Sequence, residues 1–356
     1  QRQMCIRDRK EGEVQGSDMV AHSAGILDIK TNILPNADAL FLTAIDPYGH
    51  ELWRWTFPVN KLNQQTEQLS PLSSRPTYTE TENDLTVKAN KRTFIFSKKD
   101  GQLKGVSVDN RKISFANGPR FIGARRADRS LDQFYNHDDE KAKEKDRTYS
   151  EFPDAAVFTK LDVKQDGGDL VVTANYKLGN LDKAQWTINP SGDLALDYTY
   201  NFSGVVDLMG IRFDYPEDQV ISKRWLGAGP YRVWQNRIHG TQYDVWENDY
   251  NDPIPGETFT YPEFKGYFGD VSWMNIQTKE GTISLTNETP DAYIGVYQPR
   301  DGRDRLLYTL PESGISVLNV IPPVRNKVNS TDLCGPSSQP KWVNGPQTGR
   351  VIFRFM

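Results

Sequence analysis

The sequence predicts an all-β protein, and three features of its patterning support this fold class. Short runs of alternating apolar and polar residues recur at spacings of roughly ten residues along most of the chain. Clusters of Gly, Pro, Asn and Asp separate these runs, as turns between strands require. The three-and-four spacing of apolar residues that predicts amphipathic helices is nearly absent. Neither a doubly wound parallel sheet nor a complete barrel of alternating strands and helices fits this pattern.

The composition excludes several classes of protein. The chain has 356 residues, a formal net charge of −4 and an aromatic content of 11%. A mildly acidic chain lacks the basic surplus of a general nucleic-acid binder, and the aromatic content is too high for a disordered protein. No run of about 18 apolar residues is present, so no transmembrane helix is predicted. We therefore expect neither a nucleic-acid partner nor a membrane partner.

Residues 1–23 are left outside the predicted fold. The first ten residues, QRQMCIRDRK, show neither an initiator methionine nor the pattern of a secretory signal peptide. They resemble a translated remnant of sequence assembly, and a disordered natural lead-in is the alternative. We expect the natural chain to begin further upstream, which leaves the cellular compartment undetermined. The two cysteines, Cys5 and Cys334, are too few for a disulfide framework or a four-thiolate zinc site.

Residues 24–60 are predicted to be the closing strands of an incomplete first domain. Two apolar runs within residues 37–57 flank Asp46-Pro47-Tyr48-Gly49, and this arrangement predicts a β-hairpin. A hairpin alone is marginally stable, so we expect it to need partner strands. Residues 61–78 are rich in Gln, Ser, Thr and Pro and are predicted to be a linker.

Residues 79–356 are predicted to form one large antiparallel sandwich. The runs LTVKAN, TFIFSK, LKGVSVD and KISFAN follow one another closely, with turn residues between them. Gly167-Gly168 and Pro190-Ser191-Gly192-Asp193 predict further hairpin turns. The only candidate helix, residues 138–147, is charged on all faces, which favours a solvated loop.

Candidate catalytic residues are few. The four histidines, at positions 22, 50, 137 and 239, are not spaced to bind one metal ion from a single element. The sequence also contains no HExxH, CxxC, GxSxG or P-loop motif. The GAGP stretch at 227–230 lacks the full dinucleotide-binding pattern. We therefore predict no catalytic residue, no metal ligand and no cofactor in this chain.

Residues 224–273 form the most unusual stretch of the sequence. They contain four Trp and five Tyr residues together with several acidic and amide side chains. Aromatic faces pack against the C–H side of sugar rings, while amides and carboxylates bind sugar hydroxyls, so a sugar-contacting surface is one interpretation. The other is a long irregular segment that is packed by its own aromatic side chains. Composition leaves both interpretations open.

Several short motifs in this stretch resemble one enzyme family. They are Trp225-Leu226-Gly227-Ala228-Gly229-Pro230, Asn236-Arg237, Trp246-Glu247 and Tyr261-Pro262-Glu263. They are similar to the C-terminal, small-chain domain of bacterial family 2 glycoside hydrolases of the β-galactosidase type. Residues 97–121 resemble the opening strands of that domain. Gly49-His50-Glu51 is similar to a closing strand of the immunoglobulin-like domain that precedes it.

The resemblance implies both a fold and a role. The implied fold is a large two-layer antiparallel supersandwich, galactose mutarotase-like, preceded by a fragment of an immunoglobulin-like β-sandwich. In the family, two glutamates on a preceding (β/α)8 barrel carry out retaining glycoside hydrolysis, and that barrel is missing here. Asn287-Glu288 repeats only the two-residue pattern of the acid/base, and it follows a predicted strand, so we expect no catalytic role for it. The implied partners are a galactoside-like saccharide and the missing barrel of the same polypeptide.

The C-terminal loop is where the resemblance places substrate contacts. In the family this loop reaches over the barrel, and here it contains Asp332, Cys334, Gly335 and Pro336. The resemblance implies that these four residues bind substrate and that the loop lies at one end of the sandwich, near part of segment 224–273. For Cys334, a small buried thiol in a rigid turn is the alternative.

Two segments depart from the family pattern, so the substrate contacts that the family makes there do not transfer to this chain, and the exact substrate stays open. Arg125-Arg126-Ala127-Asp128 replaces a Trp-Arg-Ala-Pro motif, and residues 321–325 also differ. The leading hypothesis is the C-terminal carbohydrate-site domain of a retaining family 2 glycoside hydrolase, with β-galactosidase as the expected activity of the whole enzyme. The alternatives are a free-standing carbohydrate-binding module and a mutarotase- or epimerase-like enzyme, which would need a positioned acid and base.

Overall fold

The structure is a computed structural model, and it describes residues 11–16, 20, 22–29, 37, 39–59, 74–126, 149–249, 266–296, 313–323 and 335–356. Contacts divide the chain into two units, Gln1–Gln64 and Gln65–Met356. The described ranges contain β-strands and two short 3-10 turns, Glu217–Gln219 and Pro336–Ser338, but no α-helix. Within these ranges no helix has the length and apolar character that a membrane crossing requires.

The strands of both units are numbered in chain order. They are β1 (Ala39–Ile45), β2 (Glu51–Pro58), β3 (Thr77–Glu80), β4 (Asp84–Ala89), β5 (Arg92–Ser97), β6 (Leu103–Val108), β7 (Arg111–Ile113), β8 (Ala116–Arg126), β9 (Tyr149–Glu151), β10 (Val157–Asp166), β11 (Asp169–Lys177), β12 (Leu181–Ile188), β13 (Leu194–Val206), β14 (Leu208–Asp214), β15 (Val220–Gly229), β16 (Gln242–Asp249), β17 (Trp273–Thr278), β18 (Gly281–Asn287), β19 (Tyr293–Val296), β20 (Ile315–Val320) and β21 (Lys341–Phe355).

The first unit contains the predicted hairpin, formed by antiparallel strands β1 and β2. Asp46 shapes the turn, because its Oδ1 accepts hydrogen bonds from the backbone N–H groups of His50 and Tyr48 at 2.8 and 2.9 Å. The His50 backbone bond is the main cause that holds the pKa of Asp46 below its usual value. Gly49 has a φ of +88°, a left-handed conformation that favours glycine. The hairpin itself is therefore confirmed, while its assignment to an immunoglobulin-like domain stays a prediction.

The second unit is built from two antiparallel sheets. One has nine strands in the order β10-β11-β12-β13-β21-β18-β17-β15-β16. The other has ten strands: eight follow the order β19-β20-β14-β8-β6-β5-β4-β3, β7 pairs with β6, and β9 pairs with β8. Burial alternates along strands such as β4 and β12, so each sheet turns one face to a common core.

Aromatic side chains from both sheets meet in this core. Phe115 and Phe213, from the ten-stranded side, stack with their ring centroids 4.7 Å apart. Phe115 also packs 5.0 Å from Phe353 of β21, and Trp186 of β12 packs 6.0 Å from Phe213. All four side chains are buried. The predicted all-β, two-layer antiparallel sandwich is confirmed.

One predicted boundary differs from the structure, and one predicted segment lies outside the described residues. Strand β3 begins at Thr77, inside the range 61–78 that was predicted to be a linker. All four residues of β3 are exposed, so no buried face marks this edge strand in the sequence. The charged segment 138–147 lies outside the described residues.

The carboxylate of one turn residue links the two sheets. Glu280, in the turn between β17 and β18, accepts hydrogen bonds from the backbone N–H of Ser114 at 2.8 Å and from its hydroxyl at 2.6 Å. The hydroxyl of Tyr215, which follows β14, donates to the same carboxylate at 3.2 Å. Ser114 and Tyr215 belong to the ten-stranded side, so Glu280 binds across the sandwich.

We predict that Glu280→Ala lowers the free energy of unfolding by about 2–3 kcal/mol, because it leaves half-buried donors without an acceptor. Glu80→Ala is the matched control, since it removes only the exposed ion pair with Lys98 and should change stability by about 1 kcal/mol or less. Denaturant unfolding measures both. Equal effects of the two substitutions would contradict a linking role for Glu280.

Candidate functional site

The outer face of the ten-stranded sheet carries a second, smaller apolar cluster. Phe121 and Ile211 point into the main core, whereas Ile122 of β8 and Leu208 of β14 belong to the second cluster. Side chains alternate between the two faces of a strand, so the second cluster lies on the face away from the main core. Its other members are Ala124, Val233, Trp234, Tyr267, Leu318 and Ile321. Residues around 233 and 267 therefore cover this face of the sheet.

Backbone hydrogen bonds fix the covering segment in place. Val233 and Tyr267 exchange N–H···O bonds of 2.8 and 2.9 Å. The backbone N–H of Gln235 donates to the carbonyl of Pro322 at 3.0 Å. The rings of Trp234 and Tyr267 meet edge to face at 5.7 Å. The part of the aromatic segment that follows β15 is thus a rigid layer on the sheet.

Packing explains four residues of the motifs that suggested the family, and these are Trp225, Gly227, Gly229 and Trp246. The buried indole of Trp225 donates its N–H to the carbonyl of Ala228 at 2.9 Å. A Cβ at Gly227 would lie tightly against the backbone of residues 269–271, and a Cβ at Gly229 would overlap the indole ring of Trp246. At these positions the chain requires glycine because of close approach rather than backbone dihedral angles.

The other motif residues are exposed or lie outside the described residues. Pro230, Arg237 and Glu247 are exposed to solvent. Arg237 closes a turn, where its backbone N–H donates to the carbonyl of Trp234 at 2.8 Å. Pro262 and Glu263 lie outside the described residues.

The aromatic segment is mostly packed by its own side chains. Trp225, Trp234 and Trp273 are buried, and Trp246 is half-buried. Tyr231, with 57% of its surface exposed, is the exposed aromatic residue among the described residues of 224–273. The packing interpretation therefore applies to the tryptophans, and among the described aromatic side chains of this segment only Tyr231 is open to a ligand.

The described part of the C-terminal loop lies against the same layer. The side-chain Nε2 of Gln235 donates to two loop carbonyls, that of Ser337 at 2.9 Å and that of Gln339 at 2.7 Å. Asn236 Nδ2 donates to the Ser338 hydroxyl at 3.2 Å. The described part of the loop and part of segment 224–273 are thus neighbours, as the resemblance implied.

Of the four residues predicted to bind substrate, the structure describes only Gly335 and Pro336. Pro336 is the first residue of the 3-10 turn 336–338, where its fixed φ suits the helical geometry. Gly335 has a φ of −62°, and a Cβ there would meet nothing within 4 Å, so no steric reason for glycine exists at 335. Asp332 and Cys334 lie outside the described residues. Substrate binding by these four residues stays a prediction.

Gln235 is the residue of this site that sequence reasoning missed. It is only 8% exposed and connects three separate segments through its backbone and side chain. Its side-chain partners lie 102 and 104 positions away along the chain. A single amide residue in a turn carries no local signal of such distant partners.

Glu288 and the histidines, which the sequence analysis considered for catalysis or metal binding, are not grouped into a site among the described residues. Glu288 pairs with the guanidinium of Arg350 at 3.0 Å on the outer face of the nine-stranded sheet. His22, His50 and His239 are exposed, and His137 lies outside the described residues. The described part of the chain has no group of three or more His, Cys, Asp or Glu side chains placed to hold a metal ion.

Comparison with known proteins identifies the family. The family model described as the β-galactosidase small chain matches residues 88–322, well over half of the chain. The chain belongs to the β-galactosidase small-chain family. A search of curated proteins gives no match.

Two solved structures are similar in fold to this small-chain protein. Galactose 1-epimerase from Lactobacillus acidophilus is 8% identical with a TM-score of 0.44, and the match covers 80% of this chain and 99% of that one. An aldose epimerase homologue from C. elegans is also 8% identical, with a TM-score of 0.38 and coverage of 79% and 99%. At these values, neither structure bears on what the small-chain protein binds or catalyses.

We predict that Gly229→Ala destabilises the small-chain domain by about 2–3 kcal/mol, because the new methyl group overlaps the Trp246 ring. Gly105→Ala is the matched control: no heavy atom lies within 4 Å of its added Cβ, so its effect should stay within about 0.5 kcal/mol. Thermal unfolding of both variants tests this. A Gly229→Ala protein as stable as the control would contradict the packing explanation of the motif.

We further predict that Gln235→Glu releases the turn at 336–338. The substitution keeps the size of the side chain but replaces two N–H donors by a carboxylate that faces two carbonyl oxygens, at a cost of about 2–4 kcal/mol. Hydrogen exchange at the backbone amides of Ser338 and Gln339 should become faster. The exposed Gln165→Glu is the control and should change neither exchange nor stability. Unchanged exchange in Gln235→Glu would show that the turn is stable without the hydrogen bonds from Gln235.

Proposed function

We propose that this small-chain domain completes the sugar subsites of a retaining glycoside hydrolase of the β-galactosidase type. The supporting observation is the fixed position of the turn at 336–338 against Gln235 and Asn236, within and next to the region that matches the family. A wall that must fit a sugar needs such a rigid support, because small displacements of binding groups weaken recognition.

In this proposal the catalytic carboxylates belong to a (β/α)8 barrel outside the sequence given. Retaining hydrolysis requires two carboxyl groups on either side of the glycosidic bond, one as nucleophile and one as acid/base. Glu288, the residue that repeats the two-residue pattern, is bound to Arg350, which in turn pairs with Asp197 at 2.5 Å. These ion pairs suit a structural role on the sheet face.

The proposed substrate class is a terminal β-galactoside, following the family to which the chain belongs. Tyr231 and Arg237 are exposed and flank the buried Trp234 and Gln235, so they are the described side chains best placed to contact a saccharide. Asp332, Cys334, Gly335 and Pro336 complete the proposed wall.

The first unit fits the same proposal as the end of an immunoglobulin-like domain. The register pairs Leu40 with Phe57, Leu42 with Trp55 and Ala44 with Trp53, which places all six side chains on one face of the hairpin. Phe57, Trp55 and Trp53 are exposed. Further strands of a sandwich would cover them, since a two-stranded hairpin cannot bury an apolar face alone.

Domain replacement tests the proposal. The purified chain should not hydrolyse an aryl β-galactoside above background, whereas residues 65–356 placed after the barrel of a β-galactosidase of this family should restore hydrolysis. The control is the same barrel without a small-chain domain, which should be inactive. Hydrolysis by the chain alone would contradict the proposal that the catalytic carboxylates lie on a separate barrel. Acceleration of galactose mutarotation by the chain, measured by polarimetry, would favour an epimerase instead.

A further inference from the structure

The paired ends of β13 and β21 extend beyond the rest of the nine-stranded sheet. Residues 201–206 of β13 pair with residues 341–346 of β21. The neighbouring strand β12 pairs with β13 only up to Tyr200, and β18 pairs with β21 only from Val351 to Phe355. At its start, Asn201 exchanges hydrogen bonds of 2.7 and 2.8 Å with Asn180, next to β12. Among the described residues, no strand pairs with the sides of the remaining two-stranded end, called here the β13–β21 ribbon.

The two faces of the ribbon differ in character. Phe202 and Val206 are buried in the main core, and Val343 packs against it. Because side chains alternate along a strand, the opposite face carries the intervening residues. The register pairs them as Val205 with Trp342, Ser203 with Asn344, and Asn201 with Pro346. These six side chains form the outer face of the ribbon.

Trp342 is an exception among the tryptophans of the second unit. It is 71% exposed, whereas Trp186, Trp225, Trp234 and Trp273 are buried. An indole left in water forgoes the ~2–3 kcal/mol that full burial of a large apolar side chain provides. A side chain on a regular strand, rather than in a loop, is also held in a defined orientation. An exposed, well-positioned indole of this kind indicates a ligand surface.

The polar groups beside Trp342 are neutral and oriented. The Ser203 hydroxyl donates to Asn344 Oδ1 at 2.8 Å, which fixes the amide plane and leaves its Nδ2 hydrogens available to a ligand. Asn201 contributes a second exposed amide, across from Pro346. No side chain of the outer face is charged. The face thus combines one aromatic ring with amide donors and acceptors.

We propose that the outer face of the β13–β21 ribbon binds a neutral saccharide chain, with one pyranose ring stacked on Trp342 and its hydroxyls bound by Asn344 and Asn201. The electron-rich face of an indole attracts the polarised C–H groups on one side of a pyranose. Amides match hydroxyls, which both donate and accept, without the desolvation of a charge. Only the choice of a β-galactan as the saccharide rests on the function proposed above.

The dimensions of the face favour an oligosaccharide over a protein partner. Trp342 and Asn344 lie ~7 Å apart and Trp342 and Pro346 ~14 Å apart along the strand, which is longer than one sugar ring. The face contains six side chains on two strands, whereas a standard protein interface involves ~20–30 residues on each side. A narrow, neutral face with one aromatic ring suits a saccharide chain that lies along it.

The test is a titration of the purified chain with a linear β-galactan oligosaccharide, with a maltodextrin of equal length as the control ligand. Trp342→Ala should weaken galactan binding by roughly fivefold to tenfold, and Trp342→Phe should recover part of the loss. Tyr78→Ala, which removes another exposed aromatic side chain of the second unit, should leave binding unchanged. All variants should keep the melting temperature of the parent chain, because both rings are exposed.

Three results would overturn the proposal: no galactan binding by the parent chain, equal binding by Trp342→Ala, or a dimer that Trp342→Ala dissociates. The dimer would mean that a second copy covers the indole. Failure here is separable from failure of the proposed hydrolase role. Hydrolysis of a small aryl galactoside in the domain-replacement experiment needs no contact with the ribbon, so Trp342→Ala should leave that activity unchanged.

Discussion

The position of the last strand, β21, is the constraint on which the second unit depends. It lies between β13 and β18 and joins the two halves of the nine-stranded sheet. Its inward side chains Val351, Phe353 and Phe355 are buried in the main core. Arg354 adds a two-pronged ion pair with Asp193, at 2.7 and 2.8 Å, in a largely buried setting where such pairs are strongly directional. Because these partners are far apart in sequence, the sheet is completed only when residues 341–355 are in place.

The candidate site takes its geometry from the same strand. The 3-10 turn at 336–338 stands immediately before β21, so the strand fixes one end of the loop. Gln235 fixes the loop from the other side, through bonds to carbonyls rather than to side chains. The shape of this wall is therefore insensitive to which side chains occupy 337 and 339. It depends instead on one buried amide, whose loss would leave the carbonyls of Ser337 and Gln339 without their donors from residue 235.

The sequence was informative where the controlling interactions are local. Alternation and turn chemistry predicted the strands and hairpins, such as the turn at Gly167-Gly168, because each is determined within a few residues. Strand order is non-local, and nothing in residues 341–355 marks them as a central strand. The high aromatic content of residues 224–273 did not show which side chains are buried. Trp225 is buried and Tyr231 is exposed, yet both count equally toward that content. The glycines at 227 and 229 were the usable signal, because close packing explains them both.

The loop and the β13–β21 ribbon adjoin in sequence but approach solvent from different sides. Gln235 reaches the turn at 336–338 from the layer that covers the ten-stranded sheet. Trp342, only four residues after Ser338, belongs to the outer face of the nine-stranded sheet. The chain runs from the turn directly into β21, so the two surfaces share a support without sharing side chains. A change that alters binding at Trp342 would therefore leave the loop intact, whereas displacement of the start of β21 would disturb both surfaces together. Because of this dependence on one strand, substitutions on the inner face of β21 should lower stability and disturb both surfaces. Substitutions at exposed positions such as Trp342 or Tyr231 should test binding alone.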